Sequence, residues 1–581
     1  MRSPDAFLAL VLALPLAASA ASQPPAAQSP IYDVIIRGGT IYDGTGDAPF
    51  VGDVAIRGDR IAYIGPHASG HGAEEFPARG KAVAPGFVNM LAHPEESLLV
   101  DGRALSDLRQ GVTLEVLGED SMGPLTPEMQ HLMVQRQGDI HFDVDWTTLG
   151  EYLTRLEKRG IAPNVASYVG AGTVRTYVLG ERDVQPTAAQ LAEMRNLVHQ
   201  AMEQGALGVT TALIYSPNDY ARTPELIALA QESARCGGIY SAHMRSEGDR
   251  LLEAVAETVD IARASGAPAE IYHLKEAGKR NWGKLDALIA AVNAARSSGV
   301  RITADMYVYT AGATGLDAAM PPWVQDGGLE AWIERMKDPA TRARLIADMR
   351  NPSSDWENLL LAAGPEGTLL LGFKNPALKG LTGKTLAQVA RARGVSPQDA
   401  AIDLVIEDGS RVGVAYFLMS EDNVRREVAL PWVSFDSDAD APAPVGVFLK
   451  SSRHPRTYGN FARVLAHYVR EERVITLQEA IRKLSALPAA TLSISDRGLL
   501  RQGYFADVVV FDPVRVQDHS TYKRPQVLAT GVDDVWINGV RALRHEVATG
   551  AASGRAVRGR AWTGTPAGGC RGSARDWSWS P

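Results

Sequence analysis

Residues 239–276 read IYSAHMRSEGDRLLEAVAETVDIARASGAPAEIYHLKE, in which two short apolar segments, IYSAHMR (239–245) and EIYHLKE (270–276), flank a helical stretch. Each apolar segment has the length and composition of a buried β-strand. A strand, a helix and a second strand in this order are typical of a unit with two parallel strands. One histidine stands near the end of each strand, His243 in the first and His273 in the second.

The same alternation of strand and helix continues over most of the chain. An open doubly wound sheet is the alternative, but no glycine-rich phosphate loop follows any of the strands. Eight units in one run therefore predict an α/β fold with a closed (β/α)8 barrel. The eight predicted strands are VAPGFVNML (83–91), VTLEVLG (112–118), NVASYVG (164–170), GVTTALI (208–214), IYSAHMR (239–245), EIYHLKE (270–276), RITADMY (301–307) and PWVSFDSD (431–438).

Both ends of the chain have a different pattern. Short predicted strands with alternating apolar and polar residues are joined by Gly and Asp turns there. We expect these flanks, 32–82 and 486–549, to form one small β-sandwich beside a barrel that spans 83–485. About 120 residues separate the last two strands, too many for a simple loop. Amphipathic segments there predict a mostly helical insertion at about 310–430. The Gly-, Ser- and Arg-rich segment 550–581 is expected to be a flexible tail.

The first twenty residues resemble a secretion signal. Arg2 precedes an apolar run of about ten residues, and Ala18-Ser19-Ala20 supplies small residues for cleavage. The run is too short to span a bilayer. A buried N-terminal helix is the alternative, but residues 21–31 read as a linker. We expect cleavage near Ala21, no membrane anchor, and a periplasmic or secreted protein.

Composition limits the kinds of ligand. The chain has 581 residues, a net charge of -8 and a pI near 5.9, so no basic face for nucleic acid is expected. Its two cysteines, Cys236 and Cys570, cannot build a disulfide framework and are too few for a thiolate zinc site. We expect Cys570 to take no part in chemistry, and any metal to be held by histidines and carboxylates.

Four polar residues fall where predicted strands end: Glu119, His243, His273 and Asp438. Each alone is explained by packing, capping or solvation, but the carboxyl ends of barrel strands meet at one face. Two imidazoles and one carboxylate fit a zinc ion with an open coordination position, which lowers the pKa of bound water to about 7. Asp438 is then placed to carry the proton to a leaving amine.

Several longer segments resemble one enzyme family, the N-acyl-D-amino-acid deacylases (D-aminoacylases) of the amidohydrolase superfamily. The similarity covers about residues 32–545 and implies a barrel with a β-sandwich and zinc-dependent hydrolysis of N-acyl-D-amino acids. His243 and His273 match the metal histidines of the family, and Asp438 matches its catalytic aspartate. The segments are PGFVNML, TALIYSPNDYARTPELIALA, GGIYSAHMRSEGDRLLEAV, IYHLKEAGKRNWGK, ADMYVYTAG, HPRTYGNFARVLAHYVRE and RGLLRQGYFADVVVFDP.

The chain departs from the family pattern at two metal positions. The superfamily's first strand usually ends in His-x-His, but here Leu91 takes the place of the first histidine and only His93 remains. The family cysteine after the second strand is absent, and Glu119 stands nearest in register, as in the related sugar amide deacetylases. We expect one zinc ion per chain, bound by Glu119, His243 and His273, with His93 as a remnant of an outer site.

The substrate of this family is a small N-acylated amino acid, whose carboxylate needs a cationic partner. Candidates for this contact are Arg245, Lys275 and Arg456, and Tyr215 matches a family tyrosine at the pocket. A structural salt bridge is the alternative role for each cation.

Two other functions stay open at this stage. One is hydrolysis of a cyclic amide or a dipeptide by the same site. The other is a non-catalytic binding protein that has lost metal ligands, although a retained Asp438 argues against it. The oligomeric state is not indicated by the sequence.

Overall fold

The structure is a computed structural model that describes Met1, residues 31–352, residues 355–564 and Cys570. The predicted signal peptide after Met1 and the linker as far as residue 30 lie outside the described residues. Among the described helices, none combines the length and the apolar character that crossing a bilayer requires.

Strands from both ends of the described chain form one nine-stranded sheet, in the order β20-β19-β18-β17-β5-β1-β2-β3 with β4 also paired to β1. The first half of β1 pairs with β4 and its last residues pair with β5, so the sheet divides at β1. Both branches contribute to one apolar cluster that includes Ile36, Val510 and Trp536. The described strands are β1 (Ile31–Ile41), β2 (Phe50–Arg57), β3 (Arg60–Gly65), β4 (His71–Pro77), β5 (Ala82–Pro85), β6 (Phe87–Ala92), β7 (Val112–Leu117), β8 (Asn164–Ser167), β9 (Val169–Gly170), β10 (Gly208–Ala212), β11 (Ile239–His243), β12 (Ala269–Ile271), β13 (Ile302–Ala304), β14 (Ala311–Gly315), β15 (Thr368–Gly372), β16 (Gly413–Phe417), β17 (Val508–Phe511), β18 (Val532–Ile537), β19 (Val540–Arg544) and β20 (Val547–Ala548).

The predicted first barrel strand, 83–91, is divided between two sheets. Its first residues belong to β5 in the terminal sheet, where they pair with β17, and β6 begins at Phe87 in the barrel. Gly86 lies at the break, and a Cβ there would sit 2.0 Å from Oγ1 of Thr113. The chain can therefore pass from one sheet to the other only because this residue lacks a side chain.

The parallel strands β6–β13 form the barrel. They pair in two sheets, β6-β7-β8 and β9-β10-β11-β12-β13. Residues 431–438 lie between β13 and β6, because Ser434 N donates to Ala304 O and Asp438 N donates to Leu91 O. On the other side, Leu207 N before β10 donates to Ser167 O in β8. These hydrogen bonds join the two sheets along both edges.

Helices pack outside the barrel strands on a large apolar cluster that includes Leu229, Tyr240 and Val255. Several begin at a threonine that caps the first turn, such as Thr148 and Thr187, each in a capping box. The described α-helices are α1 (Ser97–Val100), α2 (Leu105–Leu108), α3 (Pro127–Arg136), α4 (Leu149–Arg159), α5 (Ala171–Leu179), α6 (Ala188–Glu203), α7 (Thr223–Arg235), α8 (Leu251–Ser265), α9 (Leu285–Ser297), α10 (Pro322–Gln325), α11 (Gly328–Met336), α12 (Pro339–Arg350), α13 (Leu359–Ala363), α14 (Leu386–Arg393), α15 (Pro397–Asp408), α16 (Glu421–Val428), α17 (Arg456–Arg463), α18 (Leu477–Leu484) and α19 (Ala486–Thr491), and a π-helix spans Val464–Glu471.

The segment between β13 and residues 431–438, which form no regular strand, holds helices α10–α16 and also a three-stranded antiparallel sheet, β14-β16-β15. The expectation of a mostly helical insertion missed this sheet. Its strands have only five residues each and carry glycines at their ends, so they lack the alternating pattern that indicates a strand.

The C-terminal segment is ordered further than expected. Val557 N donates to Val165 O and Gly559 N donates to Gly205 O, so residues 554–559 pack beside the amino ends of two barrel strands. Cys570 forms a disulfide with Cys236, which lies directly after α7. The expectation of a flexible tail is therefore wrong for residues 550–564, and Cys570 has a structural role. Residues 565–569 and 571–581 lie outside the described part.

Candidate metal and catalytic site

The four residues predicted at strand ends lie at one end of the barrel. Glu119 stands two residues after β7, His243 is the last residue of β11, and His273 stands two residues after β12. Asp438 is the last residue of the segment that joins β13 to β6. Since these strands run parallel, their carboxyl ends share one face.

Glu119, His243 and His273 form a compact cluster. Oε1 of Glu119 lies 2.8 Å from Nδ1 of His243 and 3.2 Å from Nε2 of His273. Burial alone would raise the pKa of Glu119, but hydrogen bonds from the two histidines lower it well below its usual value. Glu119 is therefore an ionised ligand candidate at neutral pH.

Three site residues have strained backbones. Glu119, His273 and Asp438 adopt φ angles of 66°, 36° and 44°, in the left-handed region that non-glycine residues rarely occupy. Each is held by a hydrogen bond from its own backbone N–H. The acceptors are Oγ1 of Thr210 at 3.1 Å, Oδ1 of Asp305 at 2.5 Å and the carbonyl oxygen of Leu91 at 2.9 Å. Strain of this kind is concentrated at functional sites, where the surrounding fold fixes the direction of a side chain.

Asp438 faces this cluster between a histidine and an arginine. Its Oδ1 is 3.1 Å from Nε2 of His93, and its Oδ2 is 2.9 Å from Nη1 of Arg456. Burial opposes the charge of Asp438, but Arg456 and the hydrogen bond from His93 lower its pKa below the ordinary value. The carboxylate is thus ionised and able to accept a proton at neutral pH.

His93 also belongs to a second group of potential ligands. Its Nε2 lies 3.7 Å from Oε2 of Glu119, and one ligand atom from each of His93, Glu119 and Asp438 falls within 4.8 Å of the others. Although burial opposes its charge, Asp438, Glu95 and Glu119 raise the pKa of His93 to about 9. His93 therefore contacts both Asp438 and Glu119, and the two groups of potential ligands share Glu119.

Sequence reasoning missed Glu247. This carboxylate is buried behind the two cluster histidines, with Oε1 at 2.9 Å from Nδ1 of His273 and Oε2 at 3.8 Å from Nε2 of His243. Lys275 Nζ donates to Oε1 of Glu247 over 2.7 Å. The sequence signal that could have identified Glu247 is an acidic residue four positions after His243, in the loop that follows β11.

A cavity of about 260 Å³ opens in front of the cluster. Lys275, Tyr215 and Arg456, predicted to contact substrate, all line it together with the cluster residues. Lys275 remains cationic, because Glu247 raises its pKa although burial lowers it. The lining residues that were not predicted include Tyr307 and Arg411.

The structure does not bring Arg245 into this cavity. Its guanidinium makes a double contact with the Glu257 carboxylate, at 2.9 and 3.1 Å, and also donates to the backbone carbonyls of Asp219 and Ala221. Arg245 lines a different cavity, behind the loop that follows β11. Its geometry is that of a structural ion pair.

The donor atoms of the cluster suit a metal ion. One carboxylate oxygen and two imidazole nitrogens converge within 4.8 Å of one another, the ligand types that zinc prefers. On the far side, the buried Nε2 of His243 has no hydrogen-bond partner among the described residues. That nitrogen faces Glu247, an arrangement expected when Nδ1 serves as the ligand atom.

The chain is similar to known amide hydrolases over most of its length. The model of the amidohydrolase family matches residues 74–542. D-aminoacylase of Alcaligenes xylosoxydans xylosoxydans is 31% identical over 531 residues, which cover 90% of this chain and 97% of that protein. A solved D-aminoacylase structure, described by its binuclear metal centre with one-metal activation and second-metal attenuation, has a TM-score of 0.75 at 30% identity and covers 90% of this chain and 99% of that one.

A second solved structure is the N-acyl-D-glutamate deacylase of Bordetella bronchiseptica, complexed with zinc and a phosphonate mimic of the tetrahedral intermediate. It has a TM-score of 0.74 at 29% identity, with 91% of this chain and all of that chain covered. Both the family model and the relatives extend over most of the sequence. The chain therefore belongs to the amidohydrolase family and, within it, to the N-acyl-D-amino-acid deacylases, enzymes that hydrolyse linear amides.

Proposed function

We propose that the protein is an exported, zinc-dependent deacylase that hydrolyses the amide bond of N-acyl-D-amino acids. The observation that carries the proposal is the cluster of Glu119, His243 and His273 with ionised Asp438 beside the same cavity. Three metal ligands and one free base are the groups that amide hydrolysis by an activated water requires.

A metal ion in the cluster would supply Lewis-acid polarisation of the scissile carbonyl and lower the pKa of water. The chain itself supplies the proton transfers. Asp438 accepts a proton from the attacking water at its carboxylate and returns it to the nitrogen of the leaving amine. Arg456 holds Asp438 in place through the ion pair at 2.9 Å.

The α-carboxylate of the substrate is assigned to Lys275 and Arg456. Both cations flank the ring of Tyr307, with Nζ of Lys275 at 5.4 Å and Cζ of Arg456 at 4.3 Å from its centroid. Two cations beside one aromatic wall offer a carboxylate charge-assisted hydrogen bonds. This placement directs the amide toward the cluster.

We propose one zinc ion per chain, in the Glu119, His243 and His273 cluster. The second group, with His93 and Asp438, also contacts Arg456, whose positive charge opposes another cation. A solved relative is described as activated by one metal and attenuated by a second. This description supports a single activating ion in the present protein.

Export is supported by two independent features. The apolar segment with Ala18-Ser19-Ala20 resembles a cleavable signal, and the Cys236–Cys570 disulfide requires an oxidising compartment to persist. Mass spectrometry of protein from its host should find a mature chain that begins near Ala21. An intact N-terminus on the active protein would contradict export.

The function is tested by assaying N-acetyl-D-amino acids, their L-enantiomers, cyclic amides and dipeptides with one preparation. We expect turnover of the D-configured linear substrates, loss of that activity after dialysis against a chelator, and recovery with one equivalent of zinc. Turnover confined to cyclic amides or dipeptides would assign the same site to another reaction. If the zinc-loaded protein bound N-acetyl-D-amino acids without turnover, it would be a non-catalytic binding protein.

A further inference from the structure

The cavity in front of the cluster has a second cationic group, besides the pair that the α-carboxylate uses. Arg411 precedes β16 in the insertion, and its Nε forms an ion pair of 2.8 Å with Oδ2 of Asp317. Its Nη2 donates to Oγ1 of Thr314 over 3.2 Å. The guanidinium carbon lies 5.0 Å from the ring centroid of Tyr215.

The ion pair with Asp317 holds the Arg411 side chain in place but leaves its guanidinium exposed. The side chain of Asp317 is only 6% exposed, whereas that of Arg411 is 52% exposed. Arg411, Thr314 and Tyr215 all line the cavity, and Asp317 does not. Part of the exposed guanidinium therefore borders the cavity in front of the cluster.

Aromatic contacts show how the two cationic groups are arranged. Tyr215 lies 5.2 Å from the ring of His243, and His243 lies 4.5 Å from the ring of His273. His273 in turn lies 6.4 Å from the ring of Tyr307. The guanidinium of Arg411 lies beside the ring of Tyr215, and that of Arg456 lies beside the ring of Tyr307. The two cationic groups also meet at adjacent residues, because Nη2 of Arg456 donates to the carbonyl oxygen of Ala313 over 3.4 Å and Nη2 of Arg411 donates to Oγ1 of Thr314.

An N-acyl amino acid with a neutral side chain has one carboxylate, which the proposed function already assigns to Lys275 and Arg456. Ile214 and Leu418 also line the cavity, so a neutral side chain fits, but it offers no anion to the part of the Arg411 guanidinium that Asp317 leaves exposed. An acidic side chain adds a second carboxylate, which like the first is carried by the amine part of the substrate. A guanidinium binds such a group through two parallel hydrogen bonds.

We propose that Arg411 binds the side-chain carboxylate of the substrate, so that the preferred substrates are N-acyl-D-amino acids with acidic side chains. Asp317 and Thr314 act as positioning residues, because they hold the guanidinium. The proposal rests on the proposed deacylase function and adds the substrate class.

The test compares N-acetyl-D-glutamate with its isostere N-acetyl-D-glutamine and with N-acetyl-D-leucine. We expect the wild-type protein to have a higher kcat/KM for the glutamate. Arg411→Gln should lower the ratio of kcat/KM for glutamate to that for glutamine by about 10- to 100-fold, mainly through KM, because charge-assisted hydrogen bonds are lost. Arg411→Lys keeps the charge without the planar fork and should lower the ratio less.

Arg344→Gln is the matched control. Arg344 lies in the same insertion, stacks on Trp323 at 3.9 Å and pairs with Asp348 at 3.8 Å, but it does not line the cavity. Its replacement should leave the substrate ratio unchanged. Circular dichroism and thermal unfolding check that each variant folds, and Thr314→Val offers a milder change that should lower the ratio by a smaller factor.

Three outcomes would overturn the proposal. The first is a wild-type protein that cleaves the glutamine and leucine substrates as well as the glutamate. The second is an Arg411→Gln variant that loses activity equally on all three. If that variant does not fold, the wild-type preference and the Thr314→Val ratio decide. The third is the absence of turnover of any N-acyl-D-amino acid, which would also reject the deacylase function and is thereby distinguished from the first two.

Discussion

One carboxylate, that of Glu247, lies against the outer nitrogens of both cluster histidines, at 2.9 Å from Nδ1 of His273 and 3.8 Å from Nε2 of His243. The same carboxylate holds Lys275 at 2.7 Å. An anion at this position orients the two rings and increases the basicity of their inner nitrogens. Glu247 therefore couples the geometry of the metal ligands to that of a substrate-binding cation.

We predict that Glu247→Gln weakens zinc binding about 10- to 100-fold, the usual effect of removing a group that orients ligating histidines. Competition with a chromogenic chelator measures the affinity. Glu257→Gln is the control, because Glu257 pairs with Arg245 and contacts neither histidine. Equal zinc affinity in Glu247→Gln and the wild-type protein would show that the carboxylate does not support the cluster.

Replacement of Asp438 separates proton transfer from metal binding. Asp438→Asn keeps the shape of the side chain and removes the base, so kcat should fall by about 10²- to 10⁴-fold while zinc content stays near one ion per chain. His243→Ala and His273→Ala should lose the metal as well as the activity. Steady-state kinetics with elemental analysis of the same samples distinguishes the two classes. Near-normal turnover by Asp438→Asn would exclude the proposed base.

Periodicity and strand order predict much of this site. His243 and His273 could be placed because each stands at the end of an apolar strand, and parallel strands end on the same face of a barrel. Asp438 could be placed for the same reason. Glu119 required one further step, the replacement of a family cysteine by a carboxylate in the same register.

The positions of the remaining residues could not be predicted, because they depend on how distant segments of the chain pack together. Arg411 lies more than a hundred residues after β12, and only the folded insertion brings it to Tyr215. Arg245 follows His243 by two residues, yet it turns toward Glu257 on α8. The Cys236–Cys570 pair spans 334 residues, and neither cysteine has a local pattern that indicates its partner. Contacts of this kind are set by tertiary packing and leave no periodic signal.

Loss of the disulfide should lower stability without affecting catalysis. It joins the end of α7 to the C-terminal segment, which packs beside the amino ends of the barrel strands, opposite the site. We expect Cys236→Ser to lower the free energy of unfolding by about 2–4 kcal/mol, because the cross-link restricts a long loop in the unfolded chain. A reductant should destabilise the wild-type protein but not the variant, as measured by chemical denaturation. Equal sensitivity of both proteins to the reductant would contradict this assignment.

Excess zinc is expected to inhibit the enzyme through His93. A second ion held by His93, Glu119 and Asp438 would occupy the carboxylate that must accept a proton. His93→Ala removes one ligand, so we expect it to retain one zinc ion after dialysis and to be inhibited less by millimolar zinc. Activity is measured across a zinc titration of both proteins. Unchanged inhibition of the variant would place the inhibitory ion elsewhere.

The last prediction concerns a carboxyl group in the barrel interior and the pH dependence of stability. Glu270 lies in β12 and is fully buried, with Oε2 accepting a hydrogen bond from Thr303 and Oε1 without a partner among the described residues. Burial raises the pKa of Glu270 to about 8, and the nearby carboxyl of Asp436 contributes in the same direction. The folded protein therefore binds a proton that the unfolded chain, with an ordinary glutamate pKa near 4.5, releases.

The sign of the effect follows from this difference. The contribution of Glu270 to stability is present in full below about pH 4.5 and is lost as the pH rises through about 8, at a limiting slope of about 1.4 kcal/mol per pH unit. Glu270→Gln replaces the protonated acid by a neutral isostere, so its free energy of unfolding should fall less steeply between pH 5 and pH 8 by up to this slope. Urea denaturation at half-unit pH intervals measures the difference. Glu253→Gln is the control, because the Glu253 side chain is 68% exposed on α8 and its loss should leave the wild-type slope. Parallel pH profiles for Glu270→Gln and the wild-type protein would show that Glu270 is ionised in the folded barrel.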